Sequence, residues 1–338
     1  MNFKKNLALL LTLSAINGCA SKPFIGKENL VASSREHKEY LHQSELRTYE
    51  NDKSTIYRTV RTEQEYSVSL QREGYRFYTR KVSSGSFIAI WEPPKAKQDV
   101  IIVNGIGSNA TNISLLAQSL LEENVRVYAV DRTGSGLNCS KKPDSKVWRR
   151  DIIEIAKKSK RPIIISQCFS TGLVADICNK NPNLFSKAIY LTPGIYLNYE
   201  PECCDKISMC LEEILMLDNR HKNPVPIEAY TKDKDSIETL YNDALFSYYP
   251  TKKTFLEGNK LNKEALKKIR ETRIPYLLIL AERDEVVNNK KTIEELKKLN
   301  FSKETIKILS SDHFLLLDRK AIEAIKKEIL RTENEEKN

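Results

Sequence analysis

The sequence predicts an α/β fold: a mostly parallel sheet with helices on both faces and a helical insertion late in the chain. Three observations predict it. Short apolar runs alternate with amphipathic helical patterns between residues 100 and 191, and strands that alternate with helices make a parallel sheet through right-handed crossovers. The alternation breaks across 195–271 and resumes at 276. Between these, residues 161–175 read as a strand, an abrupt turn and a helix. The run Ile163, Ile164, Ile165 suits a central strand buried on both faces.

Each element can be justified in order. Residues 1–18 read as a targeting segment, with Lys4 and Lys5 before an apolar core at 7–16 that is too short to span a membrane. The core ends in Ile16-Asn17-Gly18-Cys19, which resembles a bacterial lipoprotein box. An ordinary secretory signal is the alternative. The resemblance implies cleavage before Cys19, lipidation of Cys19 and a lipid-anchored place in the bacterial cell envelope. Alanine at position 20, where aspartate would retain the protein at the inner membrane, implies the periplasmic face of the outer membrane. Acyl chains contribute about 0.8 kcal/mol per buried CH₂, so such a protein stays attached without a spanning helix.

Residues 19–62 are polar and aperiodic, a tether and leader. Three β-like runs follow at 66–70, 75–82 and 86–91, the last halted by Pro93-Pro94; they are expected as antiparallel opening strands. The apolar strand 100–103 runs into the glycine turn Asn104-Gly105-Ile106-Gly107-Ser108-Asn109. A helix then carries Ile113, Leu116, Leu120 and Leu121 on one face. Strand 125–130 ends in Asp131-Arg132-Thr133-Gly134-Ser135-Gly136-Leu137-Asn138, before a helix with Trp148, Ile152, Ile155 and Ala156. After the 163–165 strand and its helix comes strand 188–191, which ends at Thr192-Pro193-Gly194.

The insertion, 195–271, carries two helical patterns. One holds Ile207, Leu211, Ile214 and Leu215; the other holds Ile237, Leu240, Tyr241 and Leu245. It is long enough to form a lid. Strand 276–281, a helix with Ile293, Leu296 and Leu299, strand 305–309 and a helix with Ile322, Ile325 and Ile329 complete the pattern before a charged tail at 333–338. The core thus comprises 63–194 and 272–332.

The chain has 338 residues, 40% hydrophobic and 30% charged, which suits one large globular domain with an insertion. The net charge is +10, with lysines dispersed among glutamates. That is a solvated basic surface suited to anionic lipid, not a nucleic-acid footprint. Neither a zinc-like Cys/His spacing nor a phosphate-binding glycine loop is present, so no metal and no cofactor is expected.

The chemistry centres on Ser166-Gln167-Cys168-Phe169-Ser170. This is the outline of the G-x-S-x-G nucleophile elbow, with cysteine for serine and serines for both glycines. The N-terminal N–H groups and dipole of the following helix would stabilise a thiolate there.

The ordered motifs over residues 64–330 resemble the α/β-hydrolase superfamily, in particular its capped lysophospholipase- and monoacylglycerol-lipase-like branch. Val103-Asn104-Gly105-Ile106-Gly107 is similar to that family's strand followed by His-Gly-x-Gly, with Asn104 in place of histidine. The turn at 131–136 is similar to its Asp-x-x-Gly-x-Gly. Asn181-Pro182 and Thr192-Pro193-Gly194 resemble its punctuation after the elbow helix and the next strand. In familiar members those prolines follow the nucleophile by about fourteen and about twenty-five residues. Both counts lead back to Cys168. Ser170, which keeps one glycine of the serine pattern, is the alternative nucleophile.

Position implies the partners. Of four histidines, His37 and His42 lie in the leader and His221 in the insertion. His313 follows the last strand, where the family places its catalytic histidine. Asp284, in Ala-Glu-Arg-Asp-Glu-Val-Val, matches the family's acid; Glu282 and Asp312 are further candidates. The N–H groups of Ile106 and Phe169 would form the oxyanion hole. The resemblance implies a hydrolase that cleaves an acyl ester or thioester, a small acyl or lipid substrate, through a covalent acyl-enzyme. Cysteine nucleophiles occur on this fold in dienelactone hydrolases and polyhydroxyalkanoate synthases. Acyl transfer with the same triad is therefore an alternative, as is an inactive lipoprotein that binds an acyl ligand. In an oxidising envelope some of Cys139, Cys178, Cys203, Cys204 and Cys210 can pair, and Cys203 or Cys204 with Cys210 would staple the insertion.

Overall fold

Strands form where short β-branched runs stand between turn residues. In the computed structural model, which describes residues 76–139, 141–199, 223–241, 243, 245–247 and 250–331, eight of them make one sheet. They are β1 (Arg76–Lys81), β2 (Phe87–Glu92), β3 (Gln98–Val103), β4 (Val125–Val130), β5 (Ile163–Gln167), β6 (Lys187–Leu191), β7 (Tyr276–Ala281) and β8 (Ile306–Leu309). The order across the sheet is β1-β2-β4-β3-β5-β6-β7-β8. β1 and β2 run antiparallel to each other, and β2 to β4. All pairs from β4 through β8 are parallel. The opening strands at 75–82 and 86–91 are thus antiparallel as expected; the run at 66–70 lies outside the described residues, as do 1–65.

The helices are α1 (Ser114–Leu121), α2 (Ser145–Lys157), α3 (Thr171–Lys180), α4 (Lys234–Tyr241), α5 (Lys252–Asn262), α6 (Ala265–Glu271), α7 (Asn289–Lys298) and α8 (Arg319–Leu330). Their starts follow capping chemistry: Asp144, Thr251, Asn288 and Asp318 each accept a backbone N–H of the first turn of α2, α5, α7 and α8. Alternation along the strands divides the core between two faces. Ile102, Ile165 and Ile189 pack with Leu116 of α1 and Ile325 of α8. Ile101, Ile164 and Tyr190 pack on the other face with Trp148 of α2, Val174 of α3 and Leu296 of α7.

Between β6 and β7, the pattern from Ile207 to Leu215 lies outside the described residues. The second pattern is α4, which ends before Leu245. Two helices that periodicity did not mark, α5 and α6, lie back against α3, and Leu261, Leu266 and Ile269 share its core. Gly172 makes this approach possible: a Cβ there would stand 2.4 Å from the Leu261 carbonyl.

The chain leaves β3 toward β4 on one side and β5 on the other, so the order reverses at β3. Crevices at such reversals, beyond the carboxyl ends of the strands, are where ligands bind in open parallel sheets. Val103 pairs with Ser166, which sets the glycine turn after β3 beside the elbow after β5.

Candidate active site

β5 passes into α3 through three residues only, the tight turn Cys168–Ser170. The chain turns that sharply because Cys168 takes φ +45°, a left-handed conformation that costs a non-glycine residue about 1–2 kcal/mol. The turn is held from behind. The Cys168 carbonyl accepts Gly194 N–H at 3.1 Å and the Thr171 hydroxyl at 2.7 Å. The thiol stands at the start of α3, 4% exposed.

The Ser170 hydroxyl points the other way. It lies 2.7 Å from the Val103 carbonyl and 2.9 Å from that of Gln167, and it accepts Gln167 N–H at 3.1 Å. The structure therefore gives Ser170 to the backbone of the turn and does not bring it to the histidine.

Asp284 follows β7 and His313 follows β8, so strand ends deliver both to the same edge as Cys168. His313 Nδ1 lies 2.9 Å from each oxygen of Asp284, and the imidazole also hydrogen-bonds Cys168. Asp284 Oδ1 accepts the N–H groups of Val286 and Val287 at 2.9 and 2.7 Å, which fixes the carboxylate. Burial works against a charged imidazole here. The Asp284 carboxylate, the neighbouring Cys168 and hydrogen bonds to both outweigh it, and His313 is pushed up to about 10. Glu282 is exposed, and Asp312 is engaged by Arg283 Nε at 3.0 Å and Lys232 N–H at 2.8 Å.

Gly105 lies on the elbow: a Cβ there would meet the Gln167 carbonyl at 3.3 Å and Cys168 Cβ at 3.4 Å. Its carbonyl accepts Arg132 Nη2 at 3.0 Å. A trans peptide directs N–H opposite to C=O, so this bond turns the Ile106 N–H away from Arg132. Among the described residues Ile106 N–H makes no hydrogen bond to the backbone of a turn or loop. Arg132 is buried with its guanidinium 5.4 Å from the Trp148 ring centre and 5.1 Å from that of Phe169. Burial pulls it down to about 10, against the opposing influence of Asp131 and Cys168. Asn104 ties the same loop to Asp131 at 2.8 Å, and burial pushes that carboxyl up to about 7.

Ile106, Phe169 and Phe255 form an apolar cluster around Cys168. The segment between β6 and β7 completes the surroundings. Tyr230 meets His313 edge-on at 5.6 Å and Phe246 at 5.7 Å. Phe246 covers Gly107, whose φ of +81° and 2.9 Å clearance from that ring admit no side chain. Asp243, buried, accepts Asn109 Nδ2 at 2.7 Å and Asn112 Nδ2 at 3.1 Å. Arg132 stood in a recognised motif without a role; Tyr230, Asp243, Phe246 and Phe255 carried no sequence signal beyond their place in the insertion. Among the described residues no group of three His, Cys, Asp or Glu side chains could hold a metal ion. Cys178 is a buried thiol, pushed well above the usual thiol range by burial and outside the site; Cys203, Cys204 and Cys210 lie outside the described residues.

Comparison with known proteins agrees with this architecture. The family model described as serine aminopeptidase, S33, matches residues 94–319. Among solved structures, the monoacylglycerol lipase of Paleococcus ferrophilus superposes with a TM-score of 0.61 at 17% identity, over 72% of this chain and 95% of that one. A soluble variant of monoglyceride lipase from Saccharomyces cerevisiae, in complex with a substrate analog, gives 0.59 at 13% identity, over 75% and 93%. The thioesterase domain from the curacin biosynthetic pathway gives 0.52 at 15% identity, over 76% and 99%. No curated protein matches. The family is described by its serine, whereas this elbow carries Cys168. With a match from the first parallel strand to the start of the last helix, the chain belongs to the serine aminopeptidase S33 family of the α/β-hydrolase superfamily.

Proposed function

We propose that the protein hydrolyses acyl esters or thioesters through a Cys168–His313–Asp284 triad and a covalent acyl-enzyme, while anchored to the bacterial envelope by lipidated Cys19. The observation that carries the reading is His313 bonded on one side to Asp284 and on the other to Cys168. The Cys168 sulfur attacks the carbonyl carbon, forming a C–S bond, and its proton resides on His313 Nε2. Ile106 and Phe169 N–H stabilise the oxyanion. As the C–O or C–S bond of the substrate breaks, His313 passes that proton to the leaving group. Water then attacks the thioester, giving its proton to His313; the Cys168 C–S bond breaks and the acid leaves. The apolar cluster of Ile106, Phe169 and Phe255 suits an acyl chain beside the thiol. Similar structures named as lipases and a thioesterase support this substrate class. The basic surface and the Ile16–Cys19 box support the anchor.

The test is turnover of a chain-length series of acyl esters and thioesters by the full-length protein in detergent. Cys168→Ala should lose about a thousandfold or more, as removal of a triad nucleophile does, and Ser170→Ala should keep its chemistry. Unchanged turnover in Cys168→Ala overturns the triad. An added alcohol acceptor that yields ester in place of acid would convert the reading to acyl transfer. Failure of every acyl donor to modify Cys168 would leave a binding protein. Cys19→Ala should move the protein out of the membrane fraction; retention there overturns the anchor.

A further inference from the structure

Asn262 is the last residue of α5 and is buried. Its side chain spans three backbone groups. Oδ1 accepts Gly172 N–H at 2.7 Å. Nδ2 donates to the carbonyls of Phe169 at 3.2 Å and Gly194 at 3.1 Å. The amide's orientation is set by these partners, since a flip would oppose two carbonyls to an oxygen and an N–H to an NH₂.

All three groups lie at the elbow or against it. Gly172 stands in the first turn of α3, Phe169 follows the nucleophile, and Gly194, after β6, returns its N–H to the Cys168 carbonyl at 3.1 Å. The Cys168–Phe169 peptide is planar and trans, so Phe169 N–H points opposite to the Cys168 carbonyl. Whatever fixes that carbonyl aims the N–H. Thr171 and Gly194 fix it, and Asn262 holds Gly194 in place by its own carbonyl while gripping Phe169. The fit has no slack: a Cβ on Gly194 would lie 2.9 Å from the Cys168 carbonyl carbon and 3.0 Å from Phe169 N.

We propose that Asn262 is a positioning residue for the oxyanion donor Phe169 N–H, supplied to the elbow by the segment between β6 and β7. The inference rests on acyl-enzyme formation at Cys168. It is tested with the full-length protein in detergent, using p-nitrophenyl butyrate to acylate Cys168 and iodoacetamide to alkylate it. Acylation develops an oxyanion; alkylation does not. Asn262→Asp keeps the acceptor for Gly172 and removes the donor for the two carbonyls.

The limiting acylation rate should fall between tenfold and a hundredfold, below the roughly 10²–10³ of a deleted oxyanion donor. The half-saturating ester concentration and the alkylation rate should stay within about threefold. Unchanged acylation overturns the proposal, and so does a loss of alkylation in step with acylation, which would mean that Asn262 merely keeps the elbow folded. If Asn262→Asp does not fold, Asn262→Ser carries the same readouts. A wild-type protein whose Cys168 is never acylated fails at the proposed function; a wild type that is acylated no faster than Asn262→Asp fails only here.

Discussion

Cys168 and His313 are both almost wholly shielded from water, so what touches the imidazole sets its charge. His313 is raised from an ordinary 6.5 to about 10. The folded protein therefore keeps a proton that the unfolded chain releases, and the associated stability is full below about pH 6.5 and lost as pH rises toward 10. The urea midpoint of the wild type should decline across that window. In His313→Gln the decline should be shallower; an identical pH profile would show that His313 is neutral in the fold. Cys168→Ala removes one of the two side chains that raise the imidazole, so its decline should begin at lower pH. Ser170→Ala tests the other side of the turn: it should lose about 1 kcal/mol, the worth of the hydrogen bonds it makes to the backbone, in a urea titration.

At the scale of elements, the crossing of α3 and α5 decides how the site is braced. An alanine in place of glycine inside a helix ordinarily gains about 1 kcal/mol. At Gly172 the sign should reverse, because the added methyl would lie 2.4 Å from the Leu261 backbone and neither helix can yield alone. A loss of about 1–3 kcal/mol in the denaturant midpoint is expected. Gly258→Ala pushes on the Phe169 ring from 1.8 Å and should lower acyl turnover at least tenfold by displacing the residue after the nucleophile.

This crossing also shows what the sequence could disclose. β3 through β7 were legible because buried parallel strands read as near-continuous apolar runs. α5 and α6 were not, because Gly172, Gly258 and Asn262 make their contact with small or polar groups, and periodicity registers only apolar stripes. Cys168, Asp284 and His313 could be picked out by their place after strands. Arg132 and Asn262 could not, since they act on backbone carbonyls whose positions only the folded chain reveals.

Over the whole molecule, the switch in strand order at β3 brings two loops together, and the segment between β6 and β7 closes over them. Its ties to the core include Asp243 to Asn109 and Asn112, Ser247 N–H to the Gly107 carbonyl at 2.9 Å, and Phe314 N–H to the Tyr230 carbonyl at 2.8 Å. Asp243→Ala would leave two buried amides unpaired, at a cost of about 1–3 kcal/mol. Its turnover should fall and its KM should rise together, because the loop that carries Ile106 loosens as the aromatic cover does. A change in stability with unaltered kinetics would mean that the tie serves the fold alone.

The left-handed backbone of Cys168 puts chemistry and durability in opposition. Glycine occupies that conformation without strain, so Cys168→Gly should be at least as stable as Cys168→Ala, although glycine ordinarily costs about 0.5–1 kcal/mol relative to alanine. Selection for heat tolerance alone would therefore erase the nucleophile. A library randomised at position 168 should enrich glycine under thermal challenge and cysteine under a demand for acyl turnover.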